Sequence, residues 1–184
     1  MDETLIHNRI PFEEVRRNIA RRLNVEPERL TPLYERLKEM NRPEVLEWLK
    51  EEELRRAEES YPAPGLGSIL EYIRNRKVVV AVLTRNCREA AMKALGWYIG
   101  MIDVLITRDD GYELKPSPEP IISLMNRFGF SPRNVIVVGD KDYDIQAGML
   151  AGCKTVKIGG GFADYNIMHL EELKPIIKTL SEGY

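Results

Sequence analysis

The stretch VIVVGDKDYDIQAGMLAG (135–152) carries the strongest signal in the chain for both fold and chemistry. It begins with an apolar, β-branched run that predicts a buried strand, and it ends in a helix that Gly152 terminates. Asp140, Asp142 and Asp144 follow the strand. Carboxylates this close repel one another unless a cation lies among them, and oxygen ligands without His or Cys favour Mg²⁺ over zinc. The alternative, acidic residues in the first turn of a helix, explains Asp142 and Asp144 better than Asp140.

Three further apolar runs flank this stretch, and predicted helices separate them. The runs are residues 78–84, 102–107 and 153–159, the last of which is predicted to be the final strand. Apolar strands that alternate with helices predict an α/β fold with a doubly wound parallel sheet covered on both faces. Ligands of such sheets bind at the carboxyl ends of the strands.

The segment before this core predicts helices only. Residues 11–60 have helical periodicity, with Pro11, Pro32 and Pro43 at or near predicted helix starts. The run EWLKEEELRRAEE (47–59) carries charges of both signs and is interpreted as a solvated helix face.

Two residues outside the acidic stretch could also carry chemistry. Thr84 ends the first apolar run just before a helix, where a hydroxyl and N–H groups can bind an anion, although a helix cap also explains it. Lys115 alone would be an exposed lysine, but Pro116 restricts the backbone next to it.

Composition limits the other possibilities. The chain has 184 residues and a net charge of −2, which gives no electrostatic footprint for nucleic acid or an anionic membrane. No run approaches the roughly 18 consecutive apolar residues of a membrane span. Cys87 and Cys153 are isolated cysteines, so we expect a reduced, cytoplasmic protein. Gln146 is the single glutamine, which favours a thermophilic source.

The order of these motifs resembles the haloacid dehalogenase superfamily, most of whose members are Mg²⁺-dependent phosphatases. The motifs are DETL (2–5), the strand ending in Thr84, Lys115 before Pro116, and GDKDYD (139–144). The resemblance extends along the whole chain. It implies a Rossmann-like α/β core formed by residues 1–10 and 62–184, with residues 11–61 as a small helical cap.

The resemblance also implies the residues that bind phosphate. The hydroxyl of Thr84 and the backbone of Arg85 and Asn86 would bind the phosphoryl oxygens. Lys115 would neutralise both the phosphate and the nucleophile.

A second set of residues would hold Mg²⁺ and transfer protons. Asp2 would be the general acid and base, and its backbone carbonyl would bind the metal. Asp140 would bind Mg²⁺ directly, and Asp144 would support the metal site through water or through Lys115.

The first motif of the family is Asp-x-Asp-x-Thr, and Asp2 and Thr4 match its second half. The nucleophile, which forms an aspartyl-phosphate, would then fall immediately before Met1. We therefore expect the natural start to lie upstream and the chain beginning at Met1 to be nearly inactive. The strand before this motif would lie between the strands at 78–84 and 134–139. Without it we expect those strands to pair directly, to accept a segment from a second copy, or to leave the protein poorly soluble.

The function implied is hydrolysis of a small phosphorylated metabolite, with the cap closing over the site. Two alternatives stay open: a sugar-phosphate mutase or dehalogenase on the same fold, or a non-catalytic binding protein that begins at Met1. The substrate is also open, since Arg9, Tyr34 and Trp48 can face either the site or the core.

Overall fold

The computed structural model describes residues 1–182, with side chains up to residue 179. Within this range the chain forms eight α-helices and seven short strands. The helices are α1 (Phe12–Leu23), α2 (Leu33–Glu39), α3 (Pro43–Glu58), α4 (Leu66–Arg74), α5 (Arg88–Leu95), α6 (Glu119–Phe128), α7 (Asp142–Leu150) and α8 (Leu173–Glu182). The strands are β1 (Ile6–Asn8), β2 (Ser60–Pro62), β3 (Ala81–Leu83), β4 (Val104–Ile106), β5 (Ile136–Gly139), β6 (Lys154–Ile158) and β7 (Tyr165–Ile167). None of these helices is long and apolar enough to cross a membrane.

The core strands are parallel, as the apolar runs predict. β3 pairs with β4, and β5, β6 and β7 form a second sheet in that order. In residues 1–182, β3 and β5 do not pair with each other. Direct pairing was one of three outcomes expected for these strands, and it does not occur; the other two stay predictions.

The strands differ from the predicted runs in length and number. β3 begins only at Ala81 because the N–H of Val80 donates to the carboxylate of Asp103, at 2.7 Å, instead of extending a strand ladder. The prediction that 153–159 is the last strand was wrong, since β7 adds to the sheet beyond β6.

A small antiparallel sheet connects the helical segment to the core. β1 and β2 pair from Ile6–Pro62 to Asn8–Ser60. The chain therefore leaves the core at β1 and returns beside it at β2, which brings both ends of the helical segment together.

The helical segment has its own apolar interior. Val15, Ile19, Leu37, Val45 and Leu49 are all buried in one cluster among α1, α2 and α3. A different cluster fills the α/β core, where Ile6, Leu66 and Val156 are buried. α3 also packs against α5, where the small side chains of Ala57 and Ala90 are buried.

The interpretation of 47–59 as a solvated face was wrong for three of its charged residues. Glu52, Glu53 and Arg56 are buried. They continue the stripe of Val45 and Leu49 at helical spacing, so the inner face of α3 changes from apolar to charged along its length.

Candidate functional site

The predicted site residues lie where β3 and β5 end. Thr84 follows β3 and is buried, and Asp140 follows β5. The hydroxyl of Thr4 donates a hydrogen bond of 2.9 Å to Oδ1 of Asp140. The structure therefore brings the amino-terminal stretch DETL to the end of β5.

The main-chain nitrogen of Met1 lies among the predicted catalytic groups. Burial lowers the pKa of the Met1 amino group, and the Lys115 ammonium lowers it further. The carboxylates of Asp144, Asp2 and Asp140 act in the opposite direction. All four charged side chains therefore lie close enough to Met1 to act on it electrostatically.

Lys115 is held in place and is not an exposed lysine. Its Nζ donates to the main-chain oxygen of Leu83 at 2.9 Å and to Oδ1 of Asp144 at 2.6 Å. The Lys115 side chain is only 11% exposed. A charged hydrogen bond in such a shielded place fixes the ammonium beside the end of β3.

Asp144 approaches the backbone so closely that Gly139 is required. Its Oδ2 accepts a hydrogen bond of 3.1 Å from the N–H of Lys141. A Cβ at position 139 would lie 2.7 Å from both Cγ and Oδ2 of Asp144. The glycine in GDKDYD therefore makes room for the carboxylate that binds Lys115.

Asp140 and Asp142 have different surroundings. Oδ2 of Asp140 lies 3.0 Å from Nζ of Lys141, and this hydrogen bond raises the pKa of Lys141. Asp142 is 83% exposed and pairs with Lys157. The first-turn alternative therefore accounts for Asp142, whereas Asp140 stays at the strand end.

Asp2 turns towards the helical segment. Its carboxylate binds the guanidinium of Arg56 on α3 and accepts hydrogen bonds of 3.1 and 3.2 Å from Nδ2 of Asn86. Arg56 is buried, and its Nε donates to the main-chain oxygen of Ile10 at 2.9 Å. The sequence reasoning missed Arg56 because it assigned that part of α3 to solvent.

The carboxylates predicted to bind Mg²⁺ each have a cationic side-chain partner. In the described part of the chain, no group of three or more His, Cys, Asp or Glu side chains is arranged to hold a metal ion. The donor type nevertheless fits Mg²⁺, because Asp2, Asp140 and Asp144 offer only oxygen. The chemistry of these side chains is therefore compatible with Mg²⁺, and their role as metal ligands stays a prediction.

The loop after β3 is tied to Lys115. The N–H of Asn86 donates to Oγ1 of Thr84 at 3.2 Å, as expected for a hydroxyl that caps a turn. The guanidinium of Arg85 donates to the main-chain oxygen of Lys115 at 3.1 Å and lies 5.5 Å from the ring of Tyr143. The residues predicted to bind phosphate thus lie together.

The start of α5 already binds carboxylates of this chain. The N–H of Cys87 donates to Oε2 of Glu53 at 3.0 Å, and that of Arg88 donates to Oδ2 of Asp109 at 2.7 Å. The other oxygen of Glu53 binds Arg108. Burial raises the pKa of Glu53, while Arg108 and the Cys87 N–H act against that increase. A buried charge therefore docks α3 onto the core.

The space next to Asp2 is small. A cavity of about 10 Å³, lined by Asp2, Arg56 and Asn86 among others, has room for about one water. A groove of about 500 Å³ lies between α3 and α5, and none of the predicted site residues lines it. The cavity beside Asp2 is therefore too small for a phosphate ester, and the larger groove is a separate feature.

Comparisons with known proteins identify relatives of both the sequence and the fold. A model of the haloacid dehalogenase-like hydrolase family matches residues 6–158. The pyrophosphatase PpaX of Halalkalibacterium halodurans is 35% identical over 101 residues, 53% of this chain and 46% of that protein. The phosphoglycolate phosphatase of Aquifex aeolicus is 32% identical over 107 residues, 57% of this chain and 50% of that protein. The chain thus matches about half the length of these curated relatives.

A solved structure of a related fold superposes on almost the whole chain. The HAD phosphatase from Thermococcus onnurineus superposes with a TM-score of 0.68 at 23% identity, over 96% of this chain and 95% of that one. The predicted α/β class with a Rossmann-like core is confirmed.

Proposed function

The chain belongs to the haloacid dehalogenase-like hydrolase family, and we propose that it hydrolyses a small phosphate monoester. The observation that carries the proposal is Lys115, whose ammonium is fixed between Leu83 and Asp144 at the strand ends. Phosphoryl transfer depends mainly on positioning and on fixed charge beside the phosphoryl oxygens. Two curated relatives are a pyrophosphatase and a phosphoglycolate phosphatase.

The phosphate would be bound by the loop after β3 and by Lys115. The Thr84 hydroxyl and the N–H groups of Arg85 and Asn86 would donate to the phosphoryl oxygens. The Asn86 N–H would exchange its present bond to Thr84 for one to the phosphate. Lys115 would neutralise the negative charge.

We propose a route through an aspartyl-phosphate. A carboxylate directly before Met1 would attack phosphorus and break the ester P–O bond, and the alcohol would leave with a proton from Asp2. Water would then cleave the aspartyl-phosphate and return a proton to Asp2. The hydrogen bond from the Thr4 hydroxyl to Asp140, which brings the amino-terminal stretch to the end of β5, supports this placement. Asp2 has to separate from Arg56 before it can reach the ester oxygen.

Mg²⁺ is the proposed cofactor. Asp140 and the backbone carbonyl of Asp2 would hold it, and Asp144 would support them. When bound, the ion supplies positive charge that stabilises the phosphoryl oxygens in the transition state.

Residues 11–61 are proposed to act as a cap. Their separate apolar cluster and the β1–β2 pairing at their two ends support an inserted unit. Over the strand ends such a unit would exclude water from the reaction.

The test compares two forms of the protein, one with Asp and one with Asn added before Met1. With an aryl phosphate and Mg²⁺, the Asp form should release phosphate and the Asn form should not. Asp2→Asn in the active form should slow release by about 10²-fold or more. Asp140→Asn should abolish the rise in melting temperature caused by Mg²⁺. Asp142→Asn is the matched control, because Asp142 is exposed and lies outside the proposed site.

Two results would contradict parts of this proposal. Equal release by the Asp and Asn forms would mean that the nucleophile is placed wrongly. The absence of both phosphate release and stabilisation by inorganic phosphate would reject the function.

A further inference from the structure

A carboxylate from the helical segment reaches the loop that is proposed to bind phosphate. Oε1 of Glu35, in the first turn of α2, accepts a hydrogen bond of 2.5 Å from Nη2 of Arg85. Nη1 of the same guanidinium donates to the main-chain oxygen of Lys115. Arg85 therefore connects Glu35 with the main chain of Lys115.

The second oxygen of Glu35 has no partner. Oε2 is shielded from solvent and accepts no hydrogen bond from any of the described residues. A carboxylate oxygen can accept two hydrogen bonds, and a buried acceptor without a donor is unfavourable. Such an atom in a folded protein needs an explanation, and a bound ligand or water is the usual one.

We propose that Oε2 of Glu35 accepts a hydrogen bond from the alcohol part of the substrate. The preferred substrates are then phosphate monoesters with a hydroxyl or ammonium group close to the ester. This inference rests on the proposed function and adds its substrate class. We place the alcohol part of the ester on the side of the helical segment, because Arg85 joins Glu35 there to the loop that is proposed to bind the phosphate.

The charge of Glu35 also predicts which substrates are excluded. Arg85 would otherwise be a receptor for a second anionic group, but Glu35 already occupies its Nη2. A substrate carboxylate would have to displace Glu35 and would be repelled by it. Phosphoglycolate should therefore be a poor ligand, although some relatives are phosphoglycolate phosphatases.

The three cap residues that the sequence left open contact partners outside the phosphate loop. The pairs are Arg9 with Tyr61, Tyr34 with Arg108, and Trp48 with Arg22, at 5.8, 5.2 and 5.5 Å. Glu35 is therefore a better candidate for contact with the substrate than any of these three.

The test measures dissociation constants by calorimetry, since binding does not depend on turnover. The probes are two matched pairs: glycerol 1-phosphate with propyl phosphate, and O-phosphoethanolamine with ethyl phosphate. Phosphoglycolate is the fifth probe. The member of each pair that carries a donor should bind at least roughly tenfold more tightly, because it adds a hydrogen bond to a charged group.

Variants of Glu35 separate specificity from folding. Glu35→Ala should abolish both preferences and tighten the binding of phosphoglycolate, since Arg85 is released. Glu35→Gln should keep part of the hydroxyl preference, because the amide oxygen accepts a hydrogen bond, but lose the ammonium preference. Glu39→Gln is the matched control on the same helix, where Glu39 pairs with Arg36 at the surface.

The outcomes distinguish this inference from the proposed function. If the phosphate esters bind but the wild type shows no preference within the pairs, Oε2 does not contact the alcohol part and the inference is wrong. Equal weakening of all five probes in Glu35→Ala would also overturn it, since that indicates a structural role. If neither the esters nor inorganic phosphate bind, the proposed function fails, and the inference fails with it.

Discussion

The buried ion pair between Glu53 and Arg108 allows a quantitative prediction about how α3 is docked to the core. Their side chains are only 6% and 5% exposed. Arg108→Met would leave the Glu53 carboxylate with one remaining hydrogen bond, from the N–H of Cys87. An uncompensated buried charge costs about 3–5 kcal/mol. Arg108 also lies 5.2 Å from the ring of Tyr34, and this contact adds to the loss. We therefore expect the free energy of unfolding to fall by about 4 kcal/mol.

The double variant Glu53→Met/Arg108→Met should be more stable than Arg108→Met alone. It removes both charges and replaces them with apolar side chains of similar length, a change that is often nearly neutral for buried pairs. The remaining loss of about 1–2 kcal/mol comes from the Cys87 N–H, which no longer has an acceptor. The two substitutions should therefore be strongly non-additive.

Urea unfolding followed by circular dichroism at pH 7.5 measures these differences. The matched control is Glu58→Gln, because Glu58 and Lys93 also pair between α3 and α5, at 2.5 Å, but are 56% and 44% exposed. An exposed pair of this kind contributes no more than about 0.5–1 kcal/mol. A cost below about 1 kcal/mol for Arg108→Met, or additive effects in the double variant, would refute the reasoning.

The pH dependence gives an independent check. Burial raises the pKa of Glu53, and the loss of Arg108 should raise it further. When the pKa of a carboxyl group is higher in the folded protein than in the unfolded chain, the protonated group stabilises the fold. This stabilisation is complete at a pH below the pKa of the unfolded chain, and it is lost as the pH rises through the pKa of the folded protein. Arg108→Met should therefore be closer to wild-type stability at pH 5 than at pH 7.5.

Three further predictions concern the site and its surroundings. Lys115→Met should weaken the binding of inorganic phosphate at least roughly tenfold in calorimetry, because it removes a cation and leaves the charge of Asp144 facing the anion; unchanged affinity would exclude Lys115 from the phosphate site. Gly139→Ala should lower the free energy of unfolding by about 1–3 kcal/mol or more, because the new Cβ would overlap with Asp144. The control is Gly100→Ala, where a Cβ meets nothing within 4 Å and no overpacking cost is expected. Burial raises the pKa of the Cys87 thiol from 9.0 to about 11. The stabilisation by the neutral thiol is complete below pH 9 and lost as the pH rises to about 11. Cys87→Ala should therefore show a smaller loss of melting temperature over that range.

The elements with strong local signals were predictable. The order of helices and parallel strands follows from apolar runs, and α6 ends at Phe128 just before Gly129, which adopts the left-handed conformation that favours glycine. β1, β2 and β7 are three residues each and have no continuous apolar run. Their strand conformation depends on pairing with distant partners, which local sequence does not encode.

The family motifs predicted that these residues lie together, but they did not predict the side-chain partners, and the roles of the residues stay predictions. The meeting of Lys115 with Asp144 follows from the family motifs. The pairing of Asp2 with Arg56 does not, because a mixed-charge run on a helix usually faces solvent. The spacing of Glu52, Glu53 and Arg56 behind Val45 and Leu49 was the signal available. Charged residues that continue an apolar stripe are buried when another element supplies opposite charges.

Two ion pairs between the helical segment and the core differ in how easily a substrate can break them. Arg85 and Glu35 are 24% and 38% exposed, so water can replace each partner and the pair contributes little. Arg56 is 8% exposed, and separation from Asp2 leaves this buried cation with the main-chain oxygen of Ile10 and, at 3.6 Å, the carboxylate of Glu3. Under the proposed function, a phosphate ester can therefore reach the loop after β3 without breaking a buried ion pair, whereas Asp2 is released only if α3 shifts or the ester supplies a new anion to Arg56. Under the proposed function, phosphate would therefore bind to the loop after β3 first, and Asp2 would become available as the general acid afterwards.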